Sequence, residues 1–326
     1  MIRVPVSFRA LLVVGFLALL TGCGSGPAAE ERAERLRGPI LESVGSILLE
    51  ESDSAYIGEP FSLVIDPDDG SFYISDFFSN RVFRFDRGGT LVARIGRPGG
   101  GPGEFRSVGL TFLLDDTTLV AADDNNKRLL LFDRRAGSFR EHRAFAGVIG
   151  PSAPAARNGT VWIPSRELAG GTSVLKWELA TGEMHHLVPL PEMYMESARG
   201  IGRFASFRPH GTLTLWADTL LVGMGGTNAL TLSDTRGTVL DTVSIPAIRR
   251  RGVPANVLEI FQNVRSTQQD IFEASSALRH VHRLPAGNFA LVHHDSHLEG
   301  RLPGGLITAT IYVSVLSADR KRACVD

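Results

Sequence analysis

Apolar and polar residues alternate in short runs along most of the chain, with Gly, Asp, Asn and Pro between the runs. From Phe61 the order is strand "FSLVI", turn "DPDDG", strand "SFYIS", loop "DFFSN", strand "RVFRF", turn "DRGG" and strand "TLVARIG". Period-two alternation predicts half-buried strands, and the turn residues between them predict antiparallel hairpins. The same order returns in "GLTFLLDDTTLVAADDNNKRLLLFDRRAG", Gly109 to Gly137. A shift of 47 residues lays Asp76 on Asp123, Arg81 on Arg128, Phe85 on Phe132 and Asp86 on Asp133.

A repeat of forty-odd residues with four strands per copy predicts an all-β β-propeller of four-stranded blades. Weaker copies run from Gly159 to Leu190, from Gly211 to Pro246 and from about Leu278 onward. Residues 191–210 read as a loop rich in Met, Arg and Gly. Val257, Ile260, Phe261 and Val264 are spaced as on a helix, which predicts a short helical insertion at about 247–276. Five units are visible, and the chain stops soon after the fifth, which leaves the last blade short. The apolar segment 40–50 precedes the first blade's own strands. It is expected to close the structure by pairing with Thr310–Ala318 or the tail beyond, removing exposed sheet edges.

The leader differs in character. Arg3 and Arg9 precede an apolar run of 11 residues, Ala10 to Leu20, too short to cross a bilayer as a helix and suited to a signal peptide over residues 1–22. The run ends in "LLTGC", which resembles a bacterial lipobox. The resemblance implies lipid attachment at Cys23, with residues 23–39 as a polar tether and the propeller domain over 40–326. The expected location is the cell envelope, lipid-anchored on the periplasmic or extracellular side, at the outer membrane. The only other cysteine is Cys324, so no disulfide framework is expected.

"DFFSNRVFRFDRGGTLVARIGRPGGGPGEF" carries Asp, loop, Asn-Arg, apolar strand, Asp and a glycine turn. In this it resembles an NHL repeat, and the chain as a whole resembles the six-bladed β-propeller lipoproteins of bacteria. The resemblance implies six units where five are seen.

Net charge is −1 and moves only to −3 without the leader arginines, so nucleic acid is not an expected partner. The glycines at 96–103 lack the lysine and Ser/Thr of a phosphate loop, and no G-x-S-x-G is present. Asn80, Arg81, Arg97, Asn125, Asn126 and Arg128 fall in the repeated loops and the glycine-rich link, and form the candidate binding face for a protein or polymer ligand. The Asp76/Arg81 and Asp123/Arg128 pairs are expected to brace those loops. Five of nine histidines lie in the last unit. If "PAGN" is a two-residue hairpin, His280 faces His293, and His282, Asp295 and His297 share their face. His280, His282, His293 and His297 are thereby candidates for a divalent metal, although no standard metal motif is present. No other cofactor is expected. Two readings follow: a non-catalytic binding module, and a metal-dependent hydrolase or lyase like the lactonases and the peptidyl-hydroxyglycine lyase among related propellers. The concentration of histidines in one unit favours binding.

Overall fold

The computed structural model describes residues 45–52, 56–145, 152–164, 171–191, 211–225, 227–245, 251–252, 276–284, 287–299, 306–317 and 323–325, together with Tyr194, Asn256 and Glu259. The first repeat folds as β1 (Pro60–Ile65), β2 (Phe72–Asp76), β3 (Arg81–Phe85) and β4 (Leu91–Ile95), paired antiparallel in that order. A link containing β5 (Arg97–Pro98) and β6 (Glu104–Phe105), paired parallel, leads to the second repeat. That blade is β7 (Val108–Leu113), β8 (Thr118–Asp123), β9 (Arg128–Asp133) and β10 (Phe139–Ala144). Blade 3 is β11 (Ala155–Arg157), β12 (Thr160–Pro164), β13 (Thr172–Glu178) and β14 (Met184–Pro189). Blade 4 is β15 (Gly211–Trp216), β16 (Thr219–Met224), β17 (Ala229–Asp234) and β18 (Val239–Ser244). Blade 5 is β19 (Ala277–Arg283), β20 (Phe289–Glu299), β21 (Leu306–Leu316) and β22 (Ala323–Val325). The described residues thus form five four-stranded antiparallel blades, the all-β propeller architecture that the repeat predicts.

The Asp that opens the turn after the third strand, in "DRGG", "DRRAG" and "DTRG", has a local purpose. Asp86 Oδ1 accepts the Gly88 and Thr90 N–H groups at 2.8 and 2.9 Å, and Asp133 Oδ1 those of Arg135 and Ala136. Asp234 does the same for Arg236 and Thr238. Each carboxylate closes the turn between the third and fourth strands by mimicking a backbone acceptor.

The chain divides into two compact units, one built on β1–β10 and one on β12–β22. In the first, Tyr73, Val82 and Ile95 pack against Val108, Leu119, Leu130 and Phe132 between the facing blades. A polar clamp closes one rim. Arg134, only 2% exposed, donates Nε to Asp66 Oδ2 at 2.7 Å, directs Nη2 to Asp66 Oδ1 and pairs with Asp68 at 3.0 Å. Arg84 bonds Asp69 at 3.0 Å and the Arg135 carbonyl at 2.9 Å. In the second unit, the two faces of blade 4 serve two cores. Leu213, Leu220 and Val222 meet Trp162, Val174 and Val188 of blade 3, while Leu221, Leu230 and Leu232 meet Leu278, Val281, Phe289 and Leu291 of blade 5.

The closing strand is not where the alternation placed it. The Glu50 N–H bonds the Gly89 carbonyl at 2.8 Å, and Ile47 and Leu49 cover Phe72, Ile74, Phe83 and Phe85 of blade 1. A nearby apolar sheet face captures the segment because the connecting chain is short and its closure costs little entropy. Blade 5 needs no strand from it, since β22 takes the outer place beside β21 and completes four strands. The helical insertion proposed at 247–276 lies almost wholly outside the described residues.

Candidate functional site

The loop between the second and third strands is built the same way in blades 1 and 2. Asp76 Oδ1 accepts the Glu59 N–H at 2.6 Å, and Asp123 Oδ1 accepts those of Arg106 and Ser107 at 3.1 Å each. A buried carboxylate at the end of the second strand therefore fixes the chain entering the first strand of its own blade. Asn80 and Lys127, equivalent under the shift of 47, share a left-handed backbone with φ of 52° and 51°. Asn is favoured there because its short polar side chain tolerates the conformation.

The six candidate side chains divide into scaffold and surface. Asn80 Oδ1 accepts the Val108 N–H at 3.0 Å, tying the blade 1 loop to the start of blade 2. Arg128 donates to Asp123 at 3.1 Å and to the carbonyls of Gly101 and Glu104. Asn126 donates to Asp123 Oδ2 at 2.6 Å. Arg97 bonds Glu104 at 2.8 Å, and Glu104 Oε2 also accepts the Gly101 N–H, so the glycine-rich link is braced from within while the Arg97 side chain stays 70% exposed. Those bonds, the Gly101 N–H first and Arg97 second, hold the Glu104 carboxyl below its ordinary range.

The expected Asp76/Arg81 ion pair does not form. In blade 1 the Ser79 N–H occupies Asp76 Oδ2 at 2.8 Å, the position that Arg128 and Asn126 fill on Asp123. The Arg81 side chain makes no hydrogen bond or ion pair among the described residues, although its backbone pairs with Asp76 in the ladder, and Asn125 is exposed. Beside them stand two residues that sequence reasoning passed over. Phe77 and Phe78 are 43% and 72% exposed, with the Phe78 ring lying over Gly58. Their counterparts in blade 2 are Asp124 and Asn125, so the repeat itself holds the signal: two phenylalanines where the other copy is polar.

The histidines are separated by an unread irregularity. Leu278 faces His293, but His280 faces Val292 and His282 faces Ala290, so the ladder slips by one at a bulge containing Arg279. His280 therefore does not face His293. His280 and His282 stack with ring centroids 5.6 Å apart. His293 is fully buried and points with Leu278 and Leu291 towards the core shared with blade 4. His297 lies farther along β20, opposite Thr308, and Asp295 is held by Arg251. Among the described residues no three His, Cys, Asp or Glu side chains converge in a metal-holding group. Burial first, then His282, His294 and Arg279, lowers the His280 pKa to about 4. Cys23 lies outside the described residues.

A cleft of about 280 Å³ opens between blades 3 and 4. Val222, Met224, Leu190 and Pro191 supply its apolar wall, and Thr227, Thr231 and Thr242 its hydroxyls. Among the described residues that line it, none is ionisable, so none of them supplies a general acid or base.

Residues 38–169 match the model of the DUF5128 family, described as a 6-bladed beta-propeller. Among solved structures the chain is similar to a presumptive exported protein of Bacteroides fragilis, at 13% identity and a TM-score of 0.59, covering 86% of this chain and 74% of that one. It is likewise similar to a member of the DUF4221 family from Bacteroides vulgatus, at 12% identity and a TM-score of 0.60, covering 85% of each. At such identities the likeness shows the fold alone. No curated protein matches the sequence.

Proposed function

We propose that the protein is a non-catalytic binding module of the bacterial cell envelope. It is anchored by lipid on Cys23 at the outer membrane and presents the loop ends of blades 1 and 2 to a protein or polymer partner. One observation carries the reading: Phe77 and Phe78 stand exposed beside Arg81 on loops whose backbones are fixed by Asp76, Asp123 and Asn80. Exposed aromatics beside a cation on a rigid frame are the composition of binding hot spots, and burying one such ring contributes about 2 kcal/mol. Asn125 is exposed on the equivalent loop of blade 2, where Asn126 and Arg128 brace Asp123, and Arg97 stands exposed on the glycine-rich link. The export named for the Bacteroides fragilis neighbour agrees with an envelope location.

Two variants test the reading. Cys23→Ser should move the protein out of the detergent-soluble membrane fraction. The pair Phe78→Ala and Arg81→Ala should abolish the species that co-isolate with the wild type after mild cross-linking of whole envelopes, while leaving its melting temperature within 1–2 °C or so. Unchanged membrane partition of Cys23→Ser would overturn the anchor. Unchanged co-isolation by the double variant would overturn the rim.

A further inference from the structure

Blade 5 holds a cluster of polar side chains set apart by a bulge in β19. The extra residue of the β19 bulge is Arg279, set between Leu278, which faces His293, and His280, which faces Val292. A bulge re-aims the side chains it displaces. Leu278 and Val281 both enter the core shared with blade 4. Arg279 and His280 are thereby turned to the other face of the sheet, where His282 stacks on His280 and His294 extends from β20 opposite Ala277. The Arg279 backbone is held in place by the Ser152 hydroxyl, which donates to its carbonyl at 3.3 Å.

Arg279 has no counter-ion among the described residues. Its Nε is buried without a hydrogen-bond partner, and burial alone pulls its pKa down. The neighbouring acid on β20, Asp295, is already taken by Arg251, which also donates to the Ser296 carbonyl at 2.8 Å. Two imidazoles, those of His280 and His294, lie close enough to the guanidinium to feel its field. Burial keeps both pKa values low, so neither competes as a cation at neutral pH. A half-buried guanidinium left unpaired is costly, and its planar fork matches the two oxygens of a carboxylate or phosphate. Neutral imidazoles beside it can each donate one N–H to the same anion.

We propose that Arg279, with His280 and His294, is a binding site for an oxyanion group, the carboxylate or phosphate of a small ligand. The geometry assigns bidentate recognition to the guanidinium and orientation to the imidazoles.

The test is a titration of the whole mature protein with sodium acetate and, separately, inorganic phosphate at constant ionic strength. The Arg279 Nε–H resonance and the melting temperature are the two readouts. At least one anion should shift the resonance saturably and raise the melting temperature. Arg279→Gln should weaken that response at least tenfold, and Arg279→Lys should weaken it less. Which anion acts distinguishes a carboxylate from a phosphate ligand. In the absence of anion, Arg279→Gln should melt no lower than wild type, because an unpaired cation has been removed; an arginine serving only the fold would melt lower when replaced. A resonance that neither anion moves, or equal responses from wild type and Arg279→Gln, would overturn the site. Neither result bears on the blade 1 and 2 rim, which contains none of these residues.

Discussion

The clamp between blades 1 and 2 gives the sharpest energetic test. Arg134→Met removes the guanidinium but keeps most of the aliphatic stem and both main-chain bonds of residue 134, to the Thr117 carbonyl and from the Tyr73 hydroxyl. Asp66, itself 2% exposed, is then left with one N–H donor to its side chain, that of Asp68 at 3.0 Å. Stranding one member of a buried pair costs about 3–5 kcal/mol. The lost contact to half-exposed Asp68 adds at most about 1 kcal/mol. Urea unfolding followed by far-UV circular dichroism measures this directly; Trp162, Trp177 and Trp216 all lie in blades 3 and 4, so tryptophan fluorescence would report on the wrong unit. Replacing both partners, Asp66→Leu with Arg134→Met, should recover most of the loss, because no charge is left stranded. Burial pushes the Asp66 pKa up, but Arg134 and the Asp68 N–H outweigh it and hold the carboxyl below its ordinary value. Its contribution is therefore present above pH 4 or so and lost as pH falls through the lowered folded value. The penalty of Arg134→Met should shrink correspondingly in acid, where Asp66 can protonate. A single variant that costs under about 1 kcal/mol, or a double variant no more stable than the single, would show that Asp66 is not stranded by the loss of Arg134.

Two further outcomes follow from the second unit and the leader of blade 1. Gly223→Ala should destabilise by about 1–3 kcal/mol in urea, since its Cβ would run into Leu278 and press on Leu230, whereas Gly45→Ala, with open space around it, should stay within about 0.5 kcal/mol. His280 sits at about 4, among His282, His294 and Arg279, against about 6.5 when unfolded; its stability contribution is whole above pH 6.5 or so and is lost as pH falls towards 4. That loss amounts to roughly 3 kcal/mol at most, and His280→Leu should flatten this part of an acid-denaturation profile; an unchanged profile would contradict the burial assigned to the ring.

Much of the fold was legible because turn chemistry repeats. Asp86, Asp133 and Asp234 mark equivalent turns, and Asp76 and Asp123 equivalent strand ends, whatever packs around them. The closing segment was not legible. Alternation at Ile47 and Leu49 says that a face must be covered, and carries no information on which sheet offers it. Nor could the histidine register be read. A bulge inserts one residue without a sequence mark of its own, and one residue is enough to send a side chain to the opposite face. Within the loop ends, residue type could not separate Arg128, spent on Asp123 and two carbonyls, from Arg81, left over because a main-chain N–H took its place.

The most direct measurement is site-specific photo-cross-linking in intact envelopes, with p-benzoylphenylalanine in place of Phe78 and, as a control, in place of Val239, an exposed residue of the outer strand of blade 4. A discrete adduct is expected from position 78, lost when Arg81→Ala is added, and none from position 239. Equal adducts from both positions, or none from position 78, would contradict a binding role for the rim.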